Sequence, residues 1–426
     1  MCSLDYCYIT IFACVVYLIK LLSCRNYRLL LPSVVHSITW LITMLLLACQ
    51  LTGWGVSEKI IDADVIRSSE YICYLVIASV LGFSIAHSLV NITYIRKRTK
   101  LIANVEIENI LRRFRWIPYV CFILGIILYI YIIRTIGVYG TFGEFRDLAV
   151  NIKWNGPFEM IKRLSGHINI LSFFYLILLG YSHGQKGINL KTTLKYIILC
   201  STINMSIGGR LWLITSTLPY IIAYIYSLNF TDNIDSHFKK DYKKIFVLVA
   251  IVSATFSFMG IARDDREVEK GVIDKFLYFT DGTRMSNMIL NQYPPGSYEL
   301  EYGKSEFLGQ FISSPMSIKF KESISDNAGL LVTVRSSIAS LYYDFGFYGG
   351  IIMWMIYCII LEFFAIKLIS TQKVLGILMQ VLLSMMLFLS PIFEVFAVYI
   401  PYFEWLLLLY IFRYKVFSPI VKRQYI

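Results

Sequence analysis

The 426-residue chain has little charge: Asp, Glu, Lys and Arg make up only 16% of it, against about 25% in soluble domains. So few charges cannot cover a water-soluble globule of this length, which excludes a soluble enzyme. A disordered chain is excluded too, because it needs many charges and few apolar residues. Histidine is scarce, with five in all. There is no Cys-x-x-Cys, no zinc-ligand spacing, no Walker A loop, no dinucleotide fingerprint and no His-Glu-x-x-His. No cofactor and no metal are therefore expected. Nine cysteines are present, at 2, 7, 14, 24, 49, 73, 121, 200 and 358. Most lie inside apolar runs, where cysteine acts as a small hydrophobe, and the polar stretch 263–340 has none.

What the chain has instead is apolar length. Hydrophobic residues make up 57% and aromatics 16%, and the mean hydropathy is +0.63. A spanning helix takes roughly 20 apolar residues. Eleven runs fit: 4–22, 29–52, 71–95, 116–136, 164–183, 192–209, 211–230, 245–262, 346–369, 374–390 and 401–416. The expected fold is an all-α polytopic membrane protein of about eleven transmembrane helices. The first run lacks a basic leader and a small-residue cleavage site, so it reads as a span rather than a cleaved signal.

Basic residues set the orientation. Arg96, Lys97, Arg98, Lys100, Arg112, Arg113 and Arg115 follow the third run, Lys239, Lys240, Lys243 and Lys244 precede the eighth, and Lys422 and Arg423 lie near the C-terminus. With eleven spans these fall on one side, together with Arg25, Arg28, Lys186 and Lys191. That side is expected to be cytoplasmic. The clusters read as topology signals at the lipid surface, and no nucleic-acid partner is expected. The outer face then receives 53–70, 137–163 and a large late segment. The chain divides into helices one to eight (1–262), an extracytoplasmic loop or cap (263–345), and helices nine to eleven with a tail (346–426). Pro294-Pro295-Gly296 breaks the cap in two.

Three outer-side sites carry candidate chemistry. The first is Ser206-Ile207-Gly208-Gly209-Arg210, a tight step between two runs. Arginine at this depth is either a snorkelling anchor or an anion ligand, and paired glycines let backbone or ligand come close. The second is the approach to the ninth run, with Arg335, then Tyr343-Asp344-Phe345-Gly346-Phe347-Tyr348-Gly349. Residues 330–343 are expected to form a surface helix, with Asp344 either capping the following span or orienting an arginine. The third is Arg263-Asp264-Asp265-Arg266 with Arg284, which reads either as a self-neutralised polar face or as further anion contacts. His167 is the histidine nearest the outer leaflet. It is a candidate base, as is an acid such as Glu267.

The layout resembles the Wzy-type O-antigen and oligosaccharide repeat-unit polymerases. Gly208-Gly209-Arg210 is similar to that family's Gly/Ser-Arg step between two short mid-chain helices. Asp344-Phe345-Gly346-Phe347-Tyr348-Gly349 is similar to its Asp-Phe-Gly-x-x-Gly entry into the helix after the large loop, and Arg335 with Gly346 fits its Arg-x10-Gly spacing. The resemblance spans the chain by layout and about 20 residues by motif. It implies a metal-independent glycosyltransferase of the bacterial cytoplasmic membrane. Its partners would be polyprenyl-pyrophosphate-linked oligosaccharides, as donor and acceptor, and a chain-length regulator. The implied site is Arg210, Arg335, Arg263, Arg284 and Asp344. Unlike the related O-antigen ligases, the long loop holds no histidine.

Two other readings stay open. A transferase using polyprenyl-phosphate sugars needs acids in the first outer loop, where Asp62, Asp64 and Glu70 stand. A transporter for lipid-linked glycan needs similar halves and charge at mid-membrane. No halves are evident, and charge is concentrated outside the runs.

Overall fold

The computed structural model describes residues 1–23, 31–56, 59–90, 104–137, 145, 149, 152, 154–206, 212–228, 241–251, 254–255, 278–292, 337–371, 374–391 and 395–412. The helices among them are α1 (Ser3–Ser23), α2 (Leu31–Thr52), α3 (Ile66–Leu89), α4 (Asn104–Arg113), α5 (Ile117–Ile136), α6 (Pro157–Lys186), α7 (Leu190–Met205), α8 (Trp212–Leu228), α9 (241–251), α10 (Tyr278–Gln292), α11 (Ser337–Thr371), α12 (Val374–Leu389) and α13 (Val395–Ile411). A 3-10 turn, Asp62–Asp64, precedes α3. No strand occurs among the described residues. Among the described residues, six segments are long and apolar enough to cross a membrane: Ser3–Leu21, Pro32–Thr52, Ile66–Ser88, Glu106–Ile136, Pro157–Lys186 and Phe345–Leu368. The protein is an all-helical, multi-pass membrane protein.

Helices are the form these runs must take, since in lipid every backbone N–H and C=O needs a partner within the segment. Polar residues inside the runs obey the same rule. Thr10, Thr39, Thr43 and Ser79 donate their hydroxyls to carbonyls four residues back. Helix ends carry recognisable signals. Pro118 and Pro157 open α5 and α6. Asn189 caps α7 by accepting from the Thr192 N–H at 3.2 Å. Cys7, Cys14, Cys73, Cys121, Cys200 and Cys358 are buried free thiols.

The chain forms two compact units. The first comprises Met1–Arg98, Lys270–Ser370 and Leu383–Ile400, and the second Thr99–Glu269, Thr371–Leu382 and Pro401–Ile426.

In the first unit α1 packs on α2 and α3, and α11 lies along α3. At Gly82 an added Cβ would stand 2.8 Å from the Met355 carbonyl oxygen, so the two backbones touch there. Trp354 donates to Ser79 at 2.7 Å. One end of the unit is tied by polar contacts. The Ser3 N–H donates to Asp62 Oδ1 at 2.8 Å and the Ile60 N–H to the Gln50 carbonyl at 3.1 Å.

In the second unit α8 lies along α6, and α7 along α5. Gly180 and Gly184, one turn apart, face the α8 backbone. An added Cβ at Gly184 would stand 2.7 Å from the Tyr224 carbonyl oxygen, and one at Gly125 would stand 2.7 Å from that of Thr202. Small residues permit these approaches where lipid gives no hydrophobic drive for helix association.

Candidate functional site

In the second unit the described helices end at different levels. Lys195 on α7 donates to Tyr119 on α5 at 2.9 Å, and Gly125 meets Thr202, so α5 and α7 run parallel. From Thr202, α7 continues only to Met205, while from Gly125 α5 continues to Ile136. At 1.5 Å per residue, α7 therefore stops roughly 10 Å short of the end of α5. On the other flank, Asn204 donates to Asn169 on α6 at 3.1 Å, and α6 extends from there back to Pro157, roughly 18 Å beyond. The α8 backbone starts at Trp212. Since Gly180 faces Tyr220, that start lies near the level of residue 172 of α6. The described end of α7 and the described start of α8 thus lie at a lower level than the ends of α5 and α6.

Polar and aromatic groups gather around these ends. Ser206 caps α7, its hydroxyl donating to the Ile203 carbonyl at 2.6 Å. Asn169 and Asn204 pair just below. Above them, Tyr131 stacks on Phe158 at 4.1 Å and on Trp154 at 5.1 Å, with the Lys162 ammonium 5.1 Å from the Trp154 ring centre. His167 Nδ1 accepts from the Trp405 indole N–H at 3.2 Å. In the neutral ring the other nitrogen then carries the proton, so the lone pair a general base would use is already engaged.

Residues 207–211, including Arg210, fall outside the described residues. So do Arg263, Glu267 and Arg335. Arg284 is described. It is half-buried on α10, which docks on the tied end of the first unit. There Asn287 accepts from the Ser68 N–H at 3.1 Å and donates to the Ala63 carbonyl at 3.2 Å. Arg67 donates to the Leu290 carbonyl at 3.2 Å.

The Asp344 segment packs on the same part of α3. Tyr71 meets Tyr342 at 5.5 Å and Phe347 at 5.1 Å. Helix α11 breaks at Gly346, with φ 69° and ψ −172°, a conformation essentially confined to glycine. The expected division between a surface helix and a span therefore falls at Gly346. The cap position of the span is Gly346 and not Asp344, which lies in the last turn of the preceding helical stretch. The Asp344 side chain lies outside the described residues. The elements bearing Arg284 and Asp344 thus meet the first turns of α3 together.

Of the first-loop acids, Asp62 is committed to the start of α1, Glu70 stands beside Tyr6, and Asp64 is exposed. An apolar cavity of about 60 Å³ lies among Ile110, Phe114, Ile117, Leu171, Leu178 and Leu409. It offers no group for chemistry. Among the described residues no cluster of three or more His, Cys, Asp or Glu could hold a metal ion.

The sequence reading missed one constellation. Glu362, a single acid inside Ile359-Ile360-Leu361-Glu362-Phe363-Phe364, is wholly buried and contacts His87 at 2.9 Å. An ionisable acid is thus built into a span, whereas charge was expected to be concentrated outside the runs. The lone acid in an apolar run was the available signal. Comparison with family models, curated proteins and solved structures finds no match for this chain.

Proposed function

We propose that this chain polymerises polyprenyl-pyrophosphate-linked oligosaccharide repeat units at the outer face of a bacterial cytoplasmic membrane, using eleven spans with residues 263–345 outside. The observation that supports it most is the difference in helix level: the described ends of α7 and α8, which flank the Gly208-Gly209-Arg210 step in the sequence, lie below the ends of α5 and α6. The stacked rings of Tyr131, Trp154 and Phe158, above those ends, suit sugars that sit over an anion at headgroup depth. The break at Gly346 inside the Asp-Phe-Gly-x-x-Gly stretch adds to this.

In the reaction, an acceptor hydroxyl oxygen bonds to the anomeric carbon of the donor glycan. The bond from that carbon to pyrophosphate oxygen breaks, and the lipid pyrophosphate leaves with the electron pair. The hydroxyl proton passes to a base. With the His167 lone pair engaged, that role falls to a carboxylate such as Glu267. Fixed guanidinium groups, Arg210 with Arg335 and Arg263 or Arg284, stabilise the developing negative charge. Arginine's planar fork matches pyrophosphate, and lysine cannot reproduce it. Arg210→Lys, at normal abundance, is therefore expected to lose polymerisation by about 100- to 1000-fold, measured as glycan chain length. Normal-length polymer from Arg210→Ala leaves Arg210 as an interfacial anchor.

The buried Glu362–His87 pair favours a second reading, a transporter of lipid-linked glycan. A deletion strain separates the two. Under the polymerase reading single repeat units accumulate at the outer face. Under the transporter reading they accumulate at the cytoplasmic face.

A further inference from the structure

The first unit holds a carboxylate with only half its hydrogen-bonding capacity met. Glu362 on α11 is 0% exposed. Its Oε1 accepts from the Ser33 hydroxyl on α2 at 2.9 Å and lies 2.9 Å from His87 Nε2 on α3. Its Oε2 has no partner among the described residues. The Tyr17 ring, on α1, stacks against His87 at 6.4 Å and stands close to Glu362. Four helices converge here. His87 keeps 14% of its side chain exposed, two residues before α3 ends at Leu89.

An uncompensated charge in such a place is very costly. Glu362 and His87 avoid one if they hold a single proton between them. With the proton on either partner, the pair is neutral. Without it, a bare carboxylate is left with one oxygen orphaned and no cation beside it.

We propose that Glu362 and His87 form a one-proton binding site, exchanging with water through the exposed edge of His87. The steps balance. Glu362–H gives its proton to bare Nε2, making a carboxylate and an imidazolium. The imidazolium then releases its Nδ1 proton to water, and the neutral ring keeps Nε2–H on the carboxylate. The pair has lost one proton and carries charge −1. Other titratable groups around the site are Tyr17 and Lys20 on α1, His36 on α2, and Cys358 and Lys367 on α11. Lys20 is taken up by Ser84 at 3.4 Å, and Lys367 lies over Phe363 at 4.6 Å. The inference does not rest on the polymerase reading.

The test is the unfolding equilibrium of the full chain in mixed micelles as a function of pH. In the unfolded chain the pair holds no proton above the ordinary histidine range, about pH 6.5, while the folded pair still holds one. Folding therefore weakens tenfold per pH unit above that range, until the folded pair gives its proton up. Glu362→Gln removes that tenfold slope and Ser33→Ala keeps it, whereas His87→Gln leaves Glu362 to hold the proton alone, so its slope begins lower, in the ordinary carboxyl range, about pH 4.3. Should Glu362→Gln fail to fold, His87→Gln and the wild-type slope decide. A wild-type chain without the slope, or a slope equal in both Gln variants, overturns the proposal. So does stabilisation by sodium over choline chloride at equal ionic strength that Glu362→Gln abolishes, which would assign the site to a metal cation.

Discussion

Glu362 in the first unit and Asp241 in the second are both buried acids close to a cation-forming side chain, yet their surroundings differ. Asp241 is 1% exposed and both its oxygens are used. Oδ2 accepts from the Ile188 N–H at 2.9 Å and the Tyr224 hydroxyl at 3.2 Å, and Oδ1 from Lys244 at 3.0 Å. Lys244 also donates to the Ile188 carbonyl at 2.7 Å. This acid closes the α6–α7 turn onto α8 and α9 and has no capacity left. Glu362 crowds its contacts onto one oxygen and leaves the other bare. A fully satisfied buried acid is a clamp, and a half-satisfied one has room for a ligand.

The sharpest way to break the comparison is Asp241→Ala. It strands the Ile188 N–H and the Tyr224 hydroxyl and leaves Lys244 without its carboxylate. The expected loss is about 3 kcal/mol, below the extreme for buried pairs because Lys244 reaches water. Unfolding in mixed micelles reads it, and the loss should persist from neutral to alkaline pH.

Gly180→Ala comes next. The new methyl meets the Tyr220 backbone, which a side-chain rotation cannot relieve. The expected cost is about 2 kcal/mol. If α8 and the clamp act together, the effects of Gly180→Ala and Asp241→Ala will not add, because a displaced α8 already weakens the Tyr224 bond. Full additivity breaks the link.

The smallest effect belongs to Glu362→Gln. The amide oxygen still accepts from Ser33 and His87, and its NH2 can donate where Oε2 was bare. Near neutral pH a change under about 1 kcal/mol is expected, with the pH slope removed. A loss as large as that of Asp241→Ala would make Glu362 a second clamp.

Much of the fold was legible in the sequence. The runs 4–22, 116–136 and 374–390 lie within or upon α1, α5 and α12 to within a residue or two, because length and hydropathy alone decide where a backbone must close its own hydrogen bonds. The run 164–183 undershot α6 at its start, where Glu159, Lys162 and Arg163 are charged. That extension is what carries α6 beyond the end of α7, so run length hid the most informative difference in helix level. The basic cluster around Asp241 reads as a topology signal, and nothing local says that its one acid anchors three elements. Gly180-x-x-x-Gly184 was a legible packing signal left unread. Glu362 meets His87 across 275 positions, and no spacing rule reaches that far.

The most direct measurement reconstitutes the purified chain in liposomes with the lipid-linked repeat units that accumulate in its deletion strain. The account predicts a ladder of longer lipid-linked glycans, with one polyprenyl pyrophosphate released per new linkage. Units that cross the bilayer with their length unchanged and no polyprenyl pyrophosphate released would contradict it.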